Sequence, residues 1–413
     1  MKRRVVITGL GAITPIGNDV ATSWANAKKG VNGIDTIKGF DITDFAVTLA
    51  GEIKDFDFIE YFGKKKMKRM DRFVQLAVIA SKEAMEDSKI NMDEVDSDRV
   101  GVYYGSGIGG LGTIANNEDK GRERGFDRVS PFFIPSAIIN MAAAAIAIDY
   151  QTHGIVTSNV TACASATNSI GEAFRAIRDG YLEVCITGGS EASIVPLGIG
   201  GFSVMHALSK SKDKNRASIP FDQERSGFVM GEGAGTLILE EYEHALARGA
   251  KIYAEVVGYG ATCDAVHITS PAPDGEGAKK CMEMALRDGG IELSEVSYIN
   301  AHGTSTPLND KTETLAIKRA FGDLAKDISI SSTKSMTGHL LGASGAIEAI
   351  FSVLSTIEDF VPPTINFKVA DPECDLDYTV NGGKKRIVNI AISNSLGFGG
   401  HNATIAIKKY KGV

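Results

Sequence analysis

Gly154-Ile155-Val156-Thr157-Ser158-Asn159-Val160, then Thr161-Ala162-Cys163-Ala164-Ser165-Ala166, then Ser169-Ile170-Gly171-Glu172-Ala173-Phe174-Arg175-Ala176-Ile177-Arg178 before Gly180, is the stretch from which the chain is best read. The first segment is β-branched and predicts a strand. The last carries apolar residues at helical spacing and predicts a helix stopped by Gly180. Cys163 stands between them, at a strand-to-helix elbow with small residues on both sides. Unpaired N–H groups and the helix dipole at such an elbow favour a thiolate, and small neighbours let a substrate approach. The same residues equally suit a small cysteine packed under a helix. The segment alone leaves both readings open.

Around it, strand-like and helical runs alternate and are punctuated by glycine. Val5-Val6-Ile7-Thr8-Gly9-Leu10 reads as a first core strand rather than a signal peptide, because glycines, Thr14 and Pro15 soon break its apolar run. Strands are predicted at 100–104, 184–188, 235–240, 251–259, 386–394 and 402–407. Helices are predicted at 71–88, 243–248 and 277–288, and the alternation is α/β patterning. A chain of 413 residues exceeds one ordinary core, so two domains or a duplicated unit are expected, divided as 1–250 and 251–413. No Pro- or Ser-rich linker separates them, so the halves should pack as one body.

Several function classes fall away. A net charge of −7 argues against general nucleic-acid binding. No apolar run is read as long enough to span a bilayer, so no membrane insertion is expected. The five cysteines are odd in number and lack CxxC spacing, which excludes a zinc ribbon or disulfide framework and fits a reducing, cytoplasmic setting. Gly105-Ser106-Gly107-Ile108-Gly109-Gly110 satisfies GxGxxG, but Asn116 to Arg122 reads as polar and irregular where a dinucleotide fold needs a helix. A glycine loop near a pocket is the better reading. His302, His339 and His401 lack the short spacings of helical zinc sites, and no GxSxG elbow is present.

Three glycine-flanked segments accompany Cys163: Asn300-Ala301-His302-Gly303-Thr304-Ser305-Thr306-Pro307, Lys334-Ser335-Met336-Thr337-Gly338-His339-Leu340-Leu341-Gly342-Ala343-Ser344-Gly345, and Ser393-Asn394-Ser395-Leu396-Gly397-Phe398-Gly399-Gly400. Asn309-Asp310-Lys311-Thr312-Glu313 offers a capping start for a following helix. Two histidines on loops at strand–helix junctions, together with a poised cysteine, point to covalent catalysis.

On these motifs, from Val5-Val6-Ile7-Thr8-Gly9-Leu10-Gly11 to Gly397-Phe398-Gly399-Gly400, essentially the whole chain resembles the elongating β-ketoacyl-[acyl-carrier-protein] synthases. The resemblance implies a thiolase-like fold of two similar halves in five α-β-α-β-α layers, usually a homodimer. It implies that Cys163 takes the acyl chain, and that His302 and His339 assist decarboxylation of malonyl-carrier protein and condensation. The amides of Cys163 and Phe398 are implied as oxyanion hole, with Lys334 as a site lysine paired to Glu348. Ile108, Phe202, Thr304, Thr306 and Gly399 are implied as substrate-binding positions, with Phe398 as the gate. No cofactor is required for catalysis beyond the phosphopantetheine arm of acyl carrier protein. A structural K+ or Na+ is implied at Asn300, Glu348, Ser393 and Asn394. Lys64, Lys65, Lys68 and Arg69, in the run Lys64-Lys65-Lys66-Met67-Lys68-Arg69, resemble a dock for the acidic carrier protein. The chain departs from the family at His206, where Arg is common, and at Val266, where Tyr is more usual. Polyketide ketosynthases share the trio, and catalytically silent chain-length-factor-like subunits and degradative thiolases share the fold.

Overall fold

The run from Val5 to Ile13 is buried at all nine positions, because helices cover both faces of the strand it forms. The computed structural model describes residues 2–412. The first half contains β1 (Val5–Ile13), β2 (Val100–Gly105), β3 (Val156–Thr157), β4 (Val184–Glu191) and β5 (Gly233–Glu241). Its main helices are α1 (Arg72–Ser88), α2 (Leu111–Arg124), α3 (Met141–Tyr150) and α4 (Ser165–Arg178). The second half contains β6 (Ala254–Cys263), β7 (Val296–Asn300), β8 (Ser329–Ser331), β9 (Ile390–Gly397) and β10 (His401–Lys409). With them go α5 (Glu276–Gly289), α6 (Pro307–Phe321) and α7 (Ser344–Glu358).

Topology shows the duplication that no short sequence repeat displays. From the seam outward the first five strands run β1-β5-β4-β2-β3 and the second five run β6-β10-β9-β7-β8. In each set the first two pairings are antiparallel and the last two parallel. The sets join where Val5, Val6 and Ile7 pair with Val256, Glu255 and Ala254. Ile170, Phe174 and Ile177 of α4 and Ile347, Ile350 and Phe351 of α7 fill the space between the sheets. α1 and α3 cover the outer face of the first sheet, α5 and α6 that of the second. Five layers result, as a thiolase-like fold requires.

Paired glycines set the spacing of the outer layers. A Cβ on Gly9 would stand 2.3 Å from the Ala84 carbonyl oxygen, and one on Gly11 1.9 Å from that of Ala80. In the second half, Gly258 and Gly260 press in the same way on the carbonyls of Ala285 and Cys281, at 2.1 Å each. Each strand–helix pair is thus closer than any side chain permits.

Four expectations change. The strand before Cys163 shrinks to Val156–Thr157, since Ser158 to Thr161 leave the sheet to build the elbow. The strands expected from 251 and 386 begin at Ala254 and Ile390. The polar stretch 116–122 is helical, within α2, and its last turn carries Arg122 and Arg124 where cations suit the helix dipole. Leu341–Glu358 is long and apolar enough to cross a membrane by length and composition, yet 89% of it is buried inside the fold.

Candidate active site

Cys163 lies in a single turn, Ala162–Ala164, directly before α4. Ala162 has φ 50°, a left-handed conformation that costs a non-glycine residue energy. The Ser165 hydroxyl holds that turn, accepting the Thr161 N–H at 2.9 Å and donating to the Ala162 carbonyl at 2.7 Å. The strained residue aims the next side chain out of the helix start. Cys163 is half-buried and lines a cavity of about 500 Å³.

The cavity brings together most of the expected residues: Ile108, Cys163, Phe202, His302, Thr304, Thr306, His339 and Phe398. The ligand atoms of Cys163, His302 and His339 all lie within 4.8 Å of one another. The imidazoles meet edge to face, with ring centroids 5.2 Å apart. Phe228 stands edge-on to His339, and Phe202 lies against Phe398 at 6.2 Å. Gly399 does not line the cavity, because its N–H is turned away onto the Ile268 carbonyl at 2.8 Å; Gly397, Phe398 and Gly400 line it instead. His206 is exposed at the cavity lining, and Val266 is 64% exposed, so the unusual valine has little packing to lose.

Electrostatics revise one expectation. Burial pushes the Cys163 thiol up to about 12, although the Lys334 cation and the backbone amides of Phe398 and Cys163 pull the other way. Loss of hydration outweighs those pulls, so the resting group is a thiol, not a thiolate. Burial, reinforced by the Lys334 charge, holds His302 and His339 well below the usual imidazole range, and both are neutral at pH 7. The His339 Nδ1 faces the Ser344 hydroxyl at 2.9 Å; with that hydroxyl donating, Nε2 carries the proton. The His302 Nδ1 is buried with no hydrogen-bond partner among the described residues. Lys334 and Glu348 are buried as an ion pair behind the histidines.

Three buried carboxylates organise the loops: Glu313 and Asp310, expected at a helix cap, and Glu191, which the sequence left unassigned. Glu313 is fully buried and accepts the N–H groups of His302 and Gly303 at 2.8 Å each, so it fixes the histidine loop. Burial pushes its carboxyl up to about 7. Asp310 accepts the N–H groups of Phe221 and Ser305. The Asn309–Glu313 acids thus hold the loop before α6 rather than cap the helix, which already begins at Pro307. Glu191, at the end of β4, accepts the N–H groups of Gly107, Ile108 and Gly109. The GxGxxG loop therefore spends its amides on an internal carboxylate instead of a phosphate. An acid inside the small-residue run Gly188-Gly189-Ser190-Glu191 was the available signal.

The expected cation residues are adjacent, Asn300 pairing with Ser393 across β7 and β9. Both side-chain polar atoms of Asn300, the Ser393 hydroxyl and Glu348 Oε2 are buried without partners among the described residues. Asn394 is already engaged, its Oδ1 accepting the Thr404 hydroxyl at 2.8 Å. Lys64, Lys65, Lys68 and Arg69 are exposed and lie outside the cavity lining.

Fold and site define a condensing enzyme of the thiolase-like kind, and the comparisons specify it. Residues 2–245 match the family model "Beta-ketoacyl synthase, N-terminal domain" and residues 253–368 the model "Beta-ketoacyl synthase, C-terminal domain". The chain belongs to the β-ketoacyl synthase family. It is 54% identical over 411 residues to a "3-oxoacyl-[acyl-carrier-protein] synthase 2" of Synechocystis sp., covering 99% of each chain. It is 53% identical over 409 residues to the protein of the same name from Staphylococcus aureus, again covering 99% of each. Among solved structures, the ishigamide ketosynthase/chain length factor superposes with TM-score 0.93 at 35% identity, covering 99% of this chain and 100% of that one. A type II PKS acyl-carrier protein in complex with its ketosynthase bound to the hexaketide gives TM-score 0.90 at 35% identity, with complete coverage of both chains.

Proposed function

We propose that this chain is a 3-oxoacyl-[acyl-carrier-protein] synthase, an acyltransferase that condenses malonyl-carrier protein with a Cys163-bound acyl chain in fatty acid elongation. The convergence of one thiol and two neutral imidazoles within 4.8 Å carries the reading. In the first step the Cys163 sulfur attacks the acyl thioester carbon. The carbonyl oxygen is received by the Phe398 and Cys163 amides, and such a donor is worth about 3 kcal/mol of transition-state stabilisation. The old C–S bond breaks, and the thiol proton passes to the departing phosphopantetheine sulfur, an adjacent neutral imidazole serving as relay.

In the second step the malonyl C–CO₂ bond breaks and its electron pair forms an enolate. Imidazole N–H groups of His302 and His339 stabilise the enolate oxygen. CO₂ departs, the carbanion attacks the acyl-Cys163 carbon, the cysteine sulfur leaves as thiolate, and one proton taken up from solvent restores its thiol. The Thr304 and Thr306 hydroxyls, 2.9 Å apart on the cavity wall, suit the phosphopantetheine arm. Ile108 and Phe202 suit the acyl chain, and Phe398 the gate between the two subsites.

Acyl carrier protein is the partner that this chemistry requires, and the exposed cations Lys64, Lys65, Lys68 and Arg69 offer an acidic protein a dock. A homodimer is supported by the edge strand β3, with Ile155, Val156 and Val160 exposed, and by the further exposed Ile134, Ile138 and Ile148. Asn300 Oδ1, Ser393 Oγ and Glu348 Oε2 are hard oxygen donors without partners among the described residues, a donor set that suits a structural K+ or Na+. Five free thiols suit the cytoplasm, and the halves divide most naturally near 250.

Identity of 53–54% with fatty-acid enzymes against 35% with polyketide enzymes favours fatty acid elongation. The test is intact mass after incubation with an acyl-carrier-protein thioester, then addition of malonyl-carrier protein. Acyl gain on the wild type but not on Cys163→Ala, and a β-keto product two carbons longer, are expected. No acylation at any chain length would leave a silent partner subunit as the better reading, and transfer from coenzyme A alone would favour a thiolase.

A further inference from the structure

The most heavily bonded side chain near Cys163 has no part in the steps above. Glu191 is completely buried. Its Oε1 accepts the hydroxyls of Ser106 and Ser193 at 3.1 and 3.3 Å and the N–H groups of Ile108 and Gly109 at 3.2 and 3.3 Å. Its Oε2 accepts the N–H groups of Gly107 at 2.8 Å and Gly342 at 3.0 Å. Four backbone N–H groups, which can only donate, and two hydroxyls point at it, an environment that favours the ionised carboxylate against the burial that pushes its carboxyl up.

Those donors come from both halves. Ser106 to Gly109 follow β2, whereas Gly342 lies in the turn Leu341–Ala343 that precedes α7. The two segments touch without side chains between them: a Cβ on Gly342 would stand 2.1 Å from the Gly107 nitrogen. A Cβ on Gly107 would stand 2.8 Å from Glu191 Oε2 and 3.3 Å from the Ala162 carbonyl, the residue before the nucleophile. Converging amide dipoles repel unless a common acceptor holds them. Ile108 and Leu341, which ride on these two segments, both line the cavity with Cys163.

We propose that Glu191 is a positioning residue for acyl transfer, its carboxylate locking the glycine loop of the first half and the 341–343 turn of the second around Cys163. It sets the width of the acyl slot and places a fixed negative charge near the thiol. That charge raises the Cys163 thiol, in the same direction as burial. The proposal rests on Cys163 being the acyl acceptor.

Full-length Glu191→Gln and Glu191→Asp variants test it through melting, acyl loading by intact mass, and the pH profile of Cys163 alkylation by iodoacetamide. Gln keeps the shape but removes the charge and turns one acceptor into a donor facing donors. It should load at least about tenfold more slowly, with its alkylation profile moved to lower pH, because a thiolate forms more readily without a neighbouring anion. Asp keeps the charge at shorter reach, so it should load slowly while its alkylation profile stays at the wild-type pH. Loading by folded Gln within about twofold of wild type overturns the proposal, and so does an unmoved alkylation profile. Failure of both variants to fold overturns it in favour of a purely architectural carboxylate. A wild-type chain that takes no acyl group overturns the synthase reading instead, while the alkylation comparison still decides whether Glu191 acts on the thiol.

Discussion

Replacing Lys334 with methionine separates structure from chemistry at this site. Lys334 and Glu348 are 1% and 2% exposed, and Glu348 Oε2 has no other partner among the described residues. Removing the cation leaves a buried carboxylate without compensation, which typically costs about 3–5 kcal/mol. That is a large share of a normal stability margin of about 5–15 kcal/mol. Chemical denaturation at pH 7.5 should show this loss for Lys334→Met, and a Lys334→Met/Glu348→Gln double variant should regain most of it, because no net charge then remains buried. Activity adds a second readout. The Lys334 charge is one of the forces holding His302 and His339 below the usual imidazole range. Without it both become easier to protonate, so the acidic limb of the kcat/KM profile should move to higher pH. Destabilisation of Lys334→Met by less than about 1 kcal/mol, or an acidic limb that stays put while the variant is folded, would refute the reasoning.

Glu83 accepts the N–H groups of Ala12 and Val20, and burial pushes its carboxyl up to about 7. A folded-state value above the unfolded one contributes stability at low pH that is lost as pH rises through about 7. Wild type should therefore lose melting temperature relative to Glu83→Gln between pH 5 and pH 8; a constant difference would contradict the burial argument. Gly11→Ala and Gly260→Ala, whose methyls would meet helix carbonyls at 1.9 and 2.1 Å, should each destabilise the protein by about 1–3 kcal/mol or more in urea titrations. Thr306→Val should raise KM for carrier-bound substrates with kcat little changed, since its proposed role is to hold the phosphopantetheine arm; a kcat loss at constant KM would move it into the chemistry.

Much of this was legible in the chain. The helices at 71–88 and 277–288 carry strong apolar periodicity, and both form, the first beginning at Arg72 with Asp71 as its N-cap. Cys163, His302 and His339 stand out because glycines and hydroxyls flank them, and the structure brings them together. The misses share a cause. The helix at 111–124 buries only Gly121, so it lacks the apolar stripe that announces a helix. Thiolate character was read from local geometry, whereas the thiol's resting state is set by desolvation from chain segments far away in sequence. Glu191 and Glu313 were missed as loop anchors because their partners are backbone amides, and the only residue-type signal was for Glu191, an acid that ends a small-residue run.

The duplication explains how each half delivers a different part of one site. Each half feeds a central helix from a single turn whose first residue is left-handed, Ala162 before α4 and Leu341 before α7. At the next position the first half carries the nucleophile, Cys163, and the second carries Gly342. Each half also has a loop after its second strand whose amides converge on a buried carboxylate, Glu191 for residues 107–109 and Glu313 for residues 302 and 303. In the first half that loop only shapes the cavity, while in the second it presents His302. Two copies of one loop-and-turn device, set face to face across the seam, thus deliver the sulfur from one side and the imidazole from the other. Gly342, with no side chain of its own, lets the second turn pack directly on Ser106 and Gly107 of the glycine loop beside the nucleophile.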